Sequence, residues 1–350
     1  MQRRVFIMKR CISITAAIIF AAAIVSAAGT KDTGSRKTVS GAAAGQKTIK
    51  IGLAKIVTHP ALDEVERGTM DYIKQAGFNP VYDQQNANGD VNTAAQIANQ
   101  YKQEKVDVAV AIATPIAIAF ANSIKDIPVV FGTVTDPIGA GLVSTYDHGE
   151  NNVTGMCDAN PTEQQITLFK EIAGIKTLGY IYTSKEASSV STLKKIQAVC
   201  TKLGLKLEVQ TIQSSSEVKQ AAESMVNRCD GIYLSTDNTL FSALPALVDV
   251  FNRAKKPIFS IDLTTAKNGG VFMAHGFNWY KTGLATGEVV VRILKGEKPA
   301  QIPVRFMTKA DDFELLFDMD QAKACGITVP QKYLDQANYL IENGKMTAKK

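Results

Sequence analysis

The sequence predicts an α/β protein of two Rossmann-like lobes, each built on a parallel sheet, joined by three hinge segments. Three observations lead there. From Thr48 onward, short β-branched runs alternate with helix-length amphipathic segments, the pattern of βαβ units and parallel sheets. The alternation comes in two series separated by NNVTGMCDANP (151–161). A last strand–helix–strand stretch then has no place in a completed second lobe. It fits if the chain returns to the first lobe for one helix and crosses back.

The first series reads as strands IKIGLAKI (49–56), NPVYDQ (79–84), VDVAVAIA (106–113) and IPVVFGTV (127–134), with helices at 61–77, 91–104 and 115–124. The second reads as strands TLGYIYT (177–183), LKLEVQTI (205–212), GIYLST (231–236) and KPIFSID (256–262), with helices at 162–173, 188–203, 215–228 and 239–254. Gly77 and Gly204 stand where helices end on a left-handed residue, and Ser214 or Ser215 can cap the helix that follows. After Asp262 come a strand (269–277), a helix (279–295) and a strand (302–308). Crossovers are expected near 153–160, 272–278 and 301–307. Lobe 1 is then 49–157 plus 276–303, and lobe 2 is 158–275 plus 304–345. Between such lobes runs a cleft lined by the carboxyl ends of the strands, where open α/β sheets hold small ligands.

Composition is that of a globular chain: 350 residues, 45% hydrophobic and 21% charged, room for roughly two domains. The formal charge of +6 includes Arg3, Arg4, Lys9 and Arg10, while residues 1–28 hold no acid, so the remainder is near +2. That balance offers no field for nucleic acid. The stretch from Met8 to Ala28 has a basic start, an apolar run from Ile12 to Val25, and then Ser26, Ala27 and Ala28. This is the layout of a secretory signal cut after Ala27 or Ala28; the run is short for a ~20-residue membrane span. Gly29 and Thr30 follow it, so there is no lipobox cysteine. Residues 29–48, rich in Gly, Ser, Thr and Ala, read as a flexible leader. The expectation is an exported, periplasmic monomer. Cys157, Cys200, Cys229 and Cys325 remain after cleavage, with no C-x-x-C or Cys/His spacing for a metal; free structural thiols are the favoured reading.

The strand ends carry the candidate site. In the first series they are Thr58 and His59, Thr114 before Pro115, and Thr135 with Asp136. In the second they are Glu186, Ser188 and Ser189, then Thr236, Asp237 and Asn238, then Asp262. A helix beginning at Thr114-Pro115 presents free N–H groups suited to a carboxylate. Asp237, Asp262, Glu186 and Asp158 are acids available to an ammonium group, with Asp237 expected as its chief partner. An anion site and a cation site together suit a zwitterion, an amino acid with an apolar or aromatic side chain. A nucleoside or other flat heterocycle is the rival. Thr, Ser, Asp and Asn also cap helices; their accumulation at strand ends in both halves favours a site. Phe277, Trp279 and Tyr280, with Phe131 and Tyr182, are candidates to stack on a flat ligand or to pack the core. His59, His148 and His275 show no metal spacing, and the G-x-S-x-G, P-loop and G-x-G-x-x-G patterns are absent. No catalytic residue, metal or cofactor is expected. His59, before Pro60, could serve as a base, but reads first as a loop histidine that shapes the pocket.

At these same motifs the chain resembles the type I periplasmic-binding-protein-like substrate-binding proteins of ABC transporters, in the group that includes tryptophan/tyrosine binders. The resemblance rests on HPALD (59–63), NGDVNTAAQIA (88–98), ATPIA (113–117), VFGTVTDPIGAGLV (130–143), NNVTG (151–155), TDNTLFSAL (236–244), TGLATGEVVVRILKGEKPAQIPV (282–304) and GITVP (326–330). It implies a receptor that closes two lobes on a small solute and serves a membrane permease and ATPase. It puts the pocket at Thr58, His59, Thr114, Thr135, Asp136, Asp158, Glu186, Ser188, Ser189, Thr236, Asp237, Asn238 and Asp262. The chain departs from the family pattern at Lys185-Glu186-Ala187-Ser188-Ser189, where Gly-Glu-Ala-Asn-Ser is usual, and at Asn278-Trp279-Tyr280, where Asp-Tyr-Tyr is usual. A sensory protein of the same fold is the other reader of the same binding event.

Overall fold

Each β-branched run becomes a strand, and the structure, a computed structural model, describes residues 48–349. The expected signal and all but the last residue of the leader lie outside the described residues. The first half contains β1 (Lys50–Lys55), α1 (Pro60–Gln75), β2 (Val81–Asn86), α2 (Val91–Gln103), β3 (Val108–Ile112), α3 (Thr114–Ser123), β4 (Val129–Val134) and β5 (Val153–Cys157). The second contains α4 (Thr162–Ala173), β6 (Thr177–Thr183), α5 (Ala187–Leu203), β7 (Lys206–Ile212), α6 (Val218–Met225), β8 (Gly231–Leu234), α7 (Asn238–Ser242), α8 (Leu244–Arg253), β9 (Ile258–Ser260), α9 (Leu263–Ala266) and β10 (Met273–Phe277). Then follow α10 (Trp279–Leu294), β11 (Arg305–Phe306), β12 (Phe313–Asp318), α11 (Met319–Ala324), α12 (Gln331–Leu334), β13 (Tyr339–Glu342) and β14 (Lys345–Ala348).

Two sheets result, one per lobe. The first is parallel throughout, in the order β11-β5-β4-β3-β1-β2. The second runs β14-β13-β12-β10-β9-β8-β6-β7 and is parallel except at β10/β12 and β13/β14. Strands β3, β4 and β5 are buried along their whole length, as a sheet covered by helices on both faces requires. The edge strand β2 (VYDQQN) is half exposed and correspondingly polar.

The chain passes between lobes after β5, between β10 and α10, and between β11 and β12. Helix α10 returns to lie against α1, and glycines set the spacing. A Cβ on Gly68 would sit 2.3 Å from Tyr280 O, and one on Gly283 2.3 Å from Val65 O.

Four features differ from expectation. The 151–161 segment contains a full central strand, β5. The third crossover falls at 307–312, because Arg305 and Phe306 still pair with β5 in the first sheet. The expected helix 239–254 is two helices, broken at Ala243 two residues before Pro245, whose ring clashes with the preceding turn. Ser214 does not cap its helix; its hydroxyl bonds the Glu217 side chain at 2.9 Å.

Candidate functional site

The carboxyl ends of the two sheets face one narrow cavity. Lobe 1 contributes His59, Ala61 and Leu62 after β1, Ala113 and Thr114 after β3, and Thr133 and Thr135 at β4. Asp158 comes from the first crossover and Trp279 from the second. Lobe 2 adds Ser188, Thr236, Asp237, Asn238, Phe241, Ile261 and Asp262.

On the lobe 1 side, two helices begin at the cavity wall, α1 at Pro60 and α3 at Thr114-Pro115. Their first-turn N–H groups have no partner within the helix, and the helix dipoles favour negative charge there. The approach to α3 is strained: Ala113 has φ +88° and Thr133 φ +55°, a conformation that costs an L-residue on the order of 1–3 kcal/mol. Both lie on the cavity wall, and the turn at Ala113 is the one that starts α3 at the site.

The acids divide into three that serve the protein and one that does not. Asp237 accepts four hydrogen bonds: from Thr183 N–H at 2.6 Å, Thr183 Oγ1 at 2.8 Å, Ser189 Oγ at 2.8 Å and Leu240 N–H at 2.9 Å. Glu186 accepts four more, from Asn238 N–H (3.0 Å) and Nδ2 (2.8 Å) and from Thr239 N–H (2.8 Å) and Oγ1 (2.6 Å). Burial and the Asp237 carboxylate push Glu186 up to about 7. Asp262 caps α9 through Thr264 and Thr265 and takes the Trp279 indole N–H at 2.9 Å. Asp158 is different. It is 2% exposed, and its Oδ1 has no partner. Burial pushes its carboxyl up to about 6, while Thr135 and then Lys195 pull the other way. An unpaired buried carboxylate is costly, and a cation brought into the cavity would relieve that cost. Asp237, expected as the chief ammonium partner, thus has its lone pairs occupied by Thr183, Ser189 and Leu240, whereas Asp158 Oδ1 is open.

Two further polar atoms share that condition. Ser188 Oγ and His59 Nδ1 are buried without partners, and both residues line the cavity. The His59 ring bonds across the lobes through Nε2 to Asn238 Oδ1 at 3.4 Å, and burial lowers its pKa, keeping it neutral at pH 7. Thr135 Oγ1 reaches Thr236 Oγ1 at 3.0 Å, and Ser191 Oγ donates to Asp136 at 2.6 Å. All three contacts join one lobe to the other, so the lobes stand closed. The apolar walls are Trp279, Phe241, Leu62 and Ile261, with Phe241 6.1 Å from the His59 ring.

Nine of the residues singled out from sequence line the cavity: His59, Thr114, Thr135, Asp158, Ser188, Thr236, Asp237, Asn238 and Asp262. Thr58 does not; it is exposed and accepts from Asn86 Nδ2 at 2.7 Å. Asp136 lies at the lobe junction, and Glu186 and Ser189 stand behind the wall, where they hold Asn238 and Asp237. Of the aromatic candidates only Trp279 lines the cavity. Phe131 and Phe277 are core, Tyr182 stacks on Tyr180, and Tyr280 lies outside under the Arg67 guanidinium. Phe241 was missed, although its spacing from Asp237 puts it one turn along the helix that Asp237 starts.

The sequence matches the family described as ABC transporter substrate binding protein over residues 50–341. It is 32% identical over 284 residues to a tyrosine-binding protein of Clostridioides difficile, covering 80% of this chain and 81% of that one. Among solved structures it is similar to an ABC domain in complex with L-Trp from a Streptococcus (32% identity, TM-score 0.80, covering 84% of this chain and all of the other). It is also similar to a ligand-free, open substrate binding protein with adhesive properties from Clostridium difficile (32% identity, TM-score 0.63, covering 84% and 99%). Identity and coverage of this chain are the same in the last two comparisons, so backbone arrangement rather than divergence separates the scores. The present lobes stand closer to the complexed arrangement, in agreement with the three bonds that join them.

Proposed function

Because the chain belongs to the ABC transporter substrate-binding protein family, we propose that it is the extracytoplasmic receptor of an importer and that its solute is an amino acid with an aromatic side chain. The observation that carries the reading is Asp158, a buried carboxylate with an unpartnered oxygen on the wall of a closed interlobe cavity. It meets the ligand's ammonium group, with the Ser188 hydroxyl beside the same cavity as a further acceptor. The ligand's carboxylate takes the starts of α1 and α3 and the Thr114 hydroxyl, where N–H groups and helix dipoles favour an anion. Its side chain lies against Trp279, Phe241 and Leu62, whose apolar surface gains by excluding water. The tyrosine- and tryptophan-related proteins it resembles support the same choice over a neutral sugar, which would leave the Asp158 charge unpaired.

The receptor works by closure. The Thr135–Thr236, Asp136–Ser191 and His59–Asn238 contacts form only with the lobes together, and the ligand adds its own bonds to both sides, so binding shifts the population toward one closed shape. That shape is what a permease, with its ATPase, would recognise. The N-terminal segment supports export to the periplasm as a soluble monomer cut near Ala27 or Ala28.

The test is a thermal-shift and calorimetric screen of the mature protein against amino acids, sugars and nucleosides. A true ligand at 100 times its Kd adds about 2.7 kcal/mol to stability and shrinks the radius of gyration in solution scattering. Stabilisation by a sugar or nucleoside, and by no amino acid, would overturn the assignment.

A further inference from the structure

We propose that His59 reads the ligand's side chain: its Nδ1 accepts a hydrogen bond from a ring-borne donor, an indole N–H or a phenol O–H, and so selects these amino acids over one with a plain phenyl ring. The inference rests on the amino-acid reading above and adds which side chains the pocket prefers.

The tautomer follows from a chain of contacts behind the wall. Both Glu186 oxygens receive backbone N–H groups, Asn238 N–H at 3.0 Å on Oε2 and Thr239 N–H at 2.8 Å on Oε1. Backbone N–H can only donate, so the ionised carboxylate, the form that prevails above about pH 7, is an acceptor at both oxygens. The Asn238 amide must then turn its Nδ2 to Glu186 Oε2, 2.8 Å away, which leaves its Oδ1 facing His59 Nε2. An oxygen there needs a donor, so Nε2 carries the proton. In a neutral imidazole the other nitrogen is then an acceptor. That nitrogen, Nδ1, is buried with no partner in a residue 7% exposed on the cavity wall.

Position assigns the donor to the side chain rather than to the ammonium group. The charged groups acting on the His59 ring are Asp262, Asp63 and Lys55, whereas Asp158 feels Lys195. His59 stands instead with the apolar walls: Phe241 lies 6.1 Å away, and Asp262, whose charge acts on the ring, holds the Trp279 indole. With the ammonium at Asp158 and the carboxylate at the helix starts, the part of the ligand left to meet His59 is its ring. A ring without a donor leaves Nδ1 buried and unpaired, and sites built to bond a group discriminate strongly against analogues lacking it.

The experiment is calorimetry of the mature protein with L-tryptophan, L-tyrosine and L-phenylalanine, together with ¹⁵N NMR of the histidine rings. At least one of the donor-bearing amino acids should bind about tenfold or more tighter than phenylalanine. The His59→Phe variant also loses the Asn238 contact across the lobes and should bind all three more weakly, but with the preference among them erased. In the unmodified protein closed on phenylalanine the His59 Nδ1 resonance should be that of an unprotonated nitrogen, and it should shift when the preferred ligand takes phenylalanine's place, which keeps the question answerable should the variant fail to fold. Equal affinity for all three amino acids, or an Nδ1 that carries the proton in the complex with the preferred ligand, would overturn this proposal and leave the amino-acid reading standing. Binding of none of the three would overturn both.

Discussion

Replacing Asp158 with Asn should move binding and stability in opposite directions, and both magnitudes follow from its surroundings. The carboxylate is 2% exposed with Oδ1 unpartnered, so the ligand ammonium proposed to meet it would do so out of water. Removing the charge from such a desolvated pair costs about 2–5 kcal/mol, a loss of ~30- to ~5,000-fold in affinity. In the ligand-free protein the same charge is a burden. Its pKa is raised from 3.8 to about 6, so the folded state binds more protons than the unfolded state between those values, and stability falls as pH rises through that window. The difference corresponds to about 3 kcal/mol. Asp158→Asn lacks this burden, so its stability relative to the parent should grow by about that amount between pH 4 and pH 7. Urea unfolding of both proteins at the two pH values reads the effect, and the comparison cancels every group they share. Parent affinity should also weaken as pH drops below about 6, because the ammonium needs the ionised carboxylate. If Asp158→Asn binds amino acids as tightly as the parent, or is no more stable at pH 7 than at pH 4 relative to it, the carboxylate is not the open ammonium site.

Three other outcomes are expected. Asp237→Ala strips the acceptor from four donors, including a helix cap, and should lower unfolding stability by at least about 3 kcal/mol; a variant of parental stability that loses only ligand would return the ammonium to Asp237. Gly283→Ala puts a Cβ 2.3 Å from Val65 O and should cost about 1–3 kcal/mol through overpacking of α1 on α10, read as a lower Tm; an unchanged Tm would mean those helices separate freely. Ser191→Ala removes a bond to Asp136 that exists only with the lobes together and should weaken binding ~3- to ~10-fold through faster dissociation. Stopped-flow release rates equal to the parent's would show that this contact does not hold the closed state.

Much of the fold is written locally. Runs such as VAVAI and VVFGTV are apolar without alternation because both faces of their sheet are covered, and the polar turn after each marks its carboxyl end. That pattern located His59, Thr114, Thr135 and Asp262 at strand ends, and all four line the cavity. The break before Pro245 is equally local, because a proline ring ends the turn that precedes it. The short strand β5 was harder, because VTGMC is brief and sits inside a stretch that also carries a crossover. β11 pairs only two residues, too little for periodicity to assign it to either lobe.

The sequence by itself determined that acids and hydroxyls stand at strand ends facing a cleft, since that depends only on where apolar runs stop. Which acid is open was decided by tertiary structure alone. In sequence a capping aspartate and a ligand-binding aspartate look the same, and what separates them is whether donors from elsewhere in the chain have filled the lone pairs. Thr183 and Ser189 reach Asp237 from 54 and 48 residues away, and Trp279 reaches Asp262 across the second crossover. No such donor meets Asp158 Oδ1, so folding leaves that oxygen open.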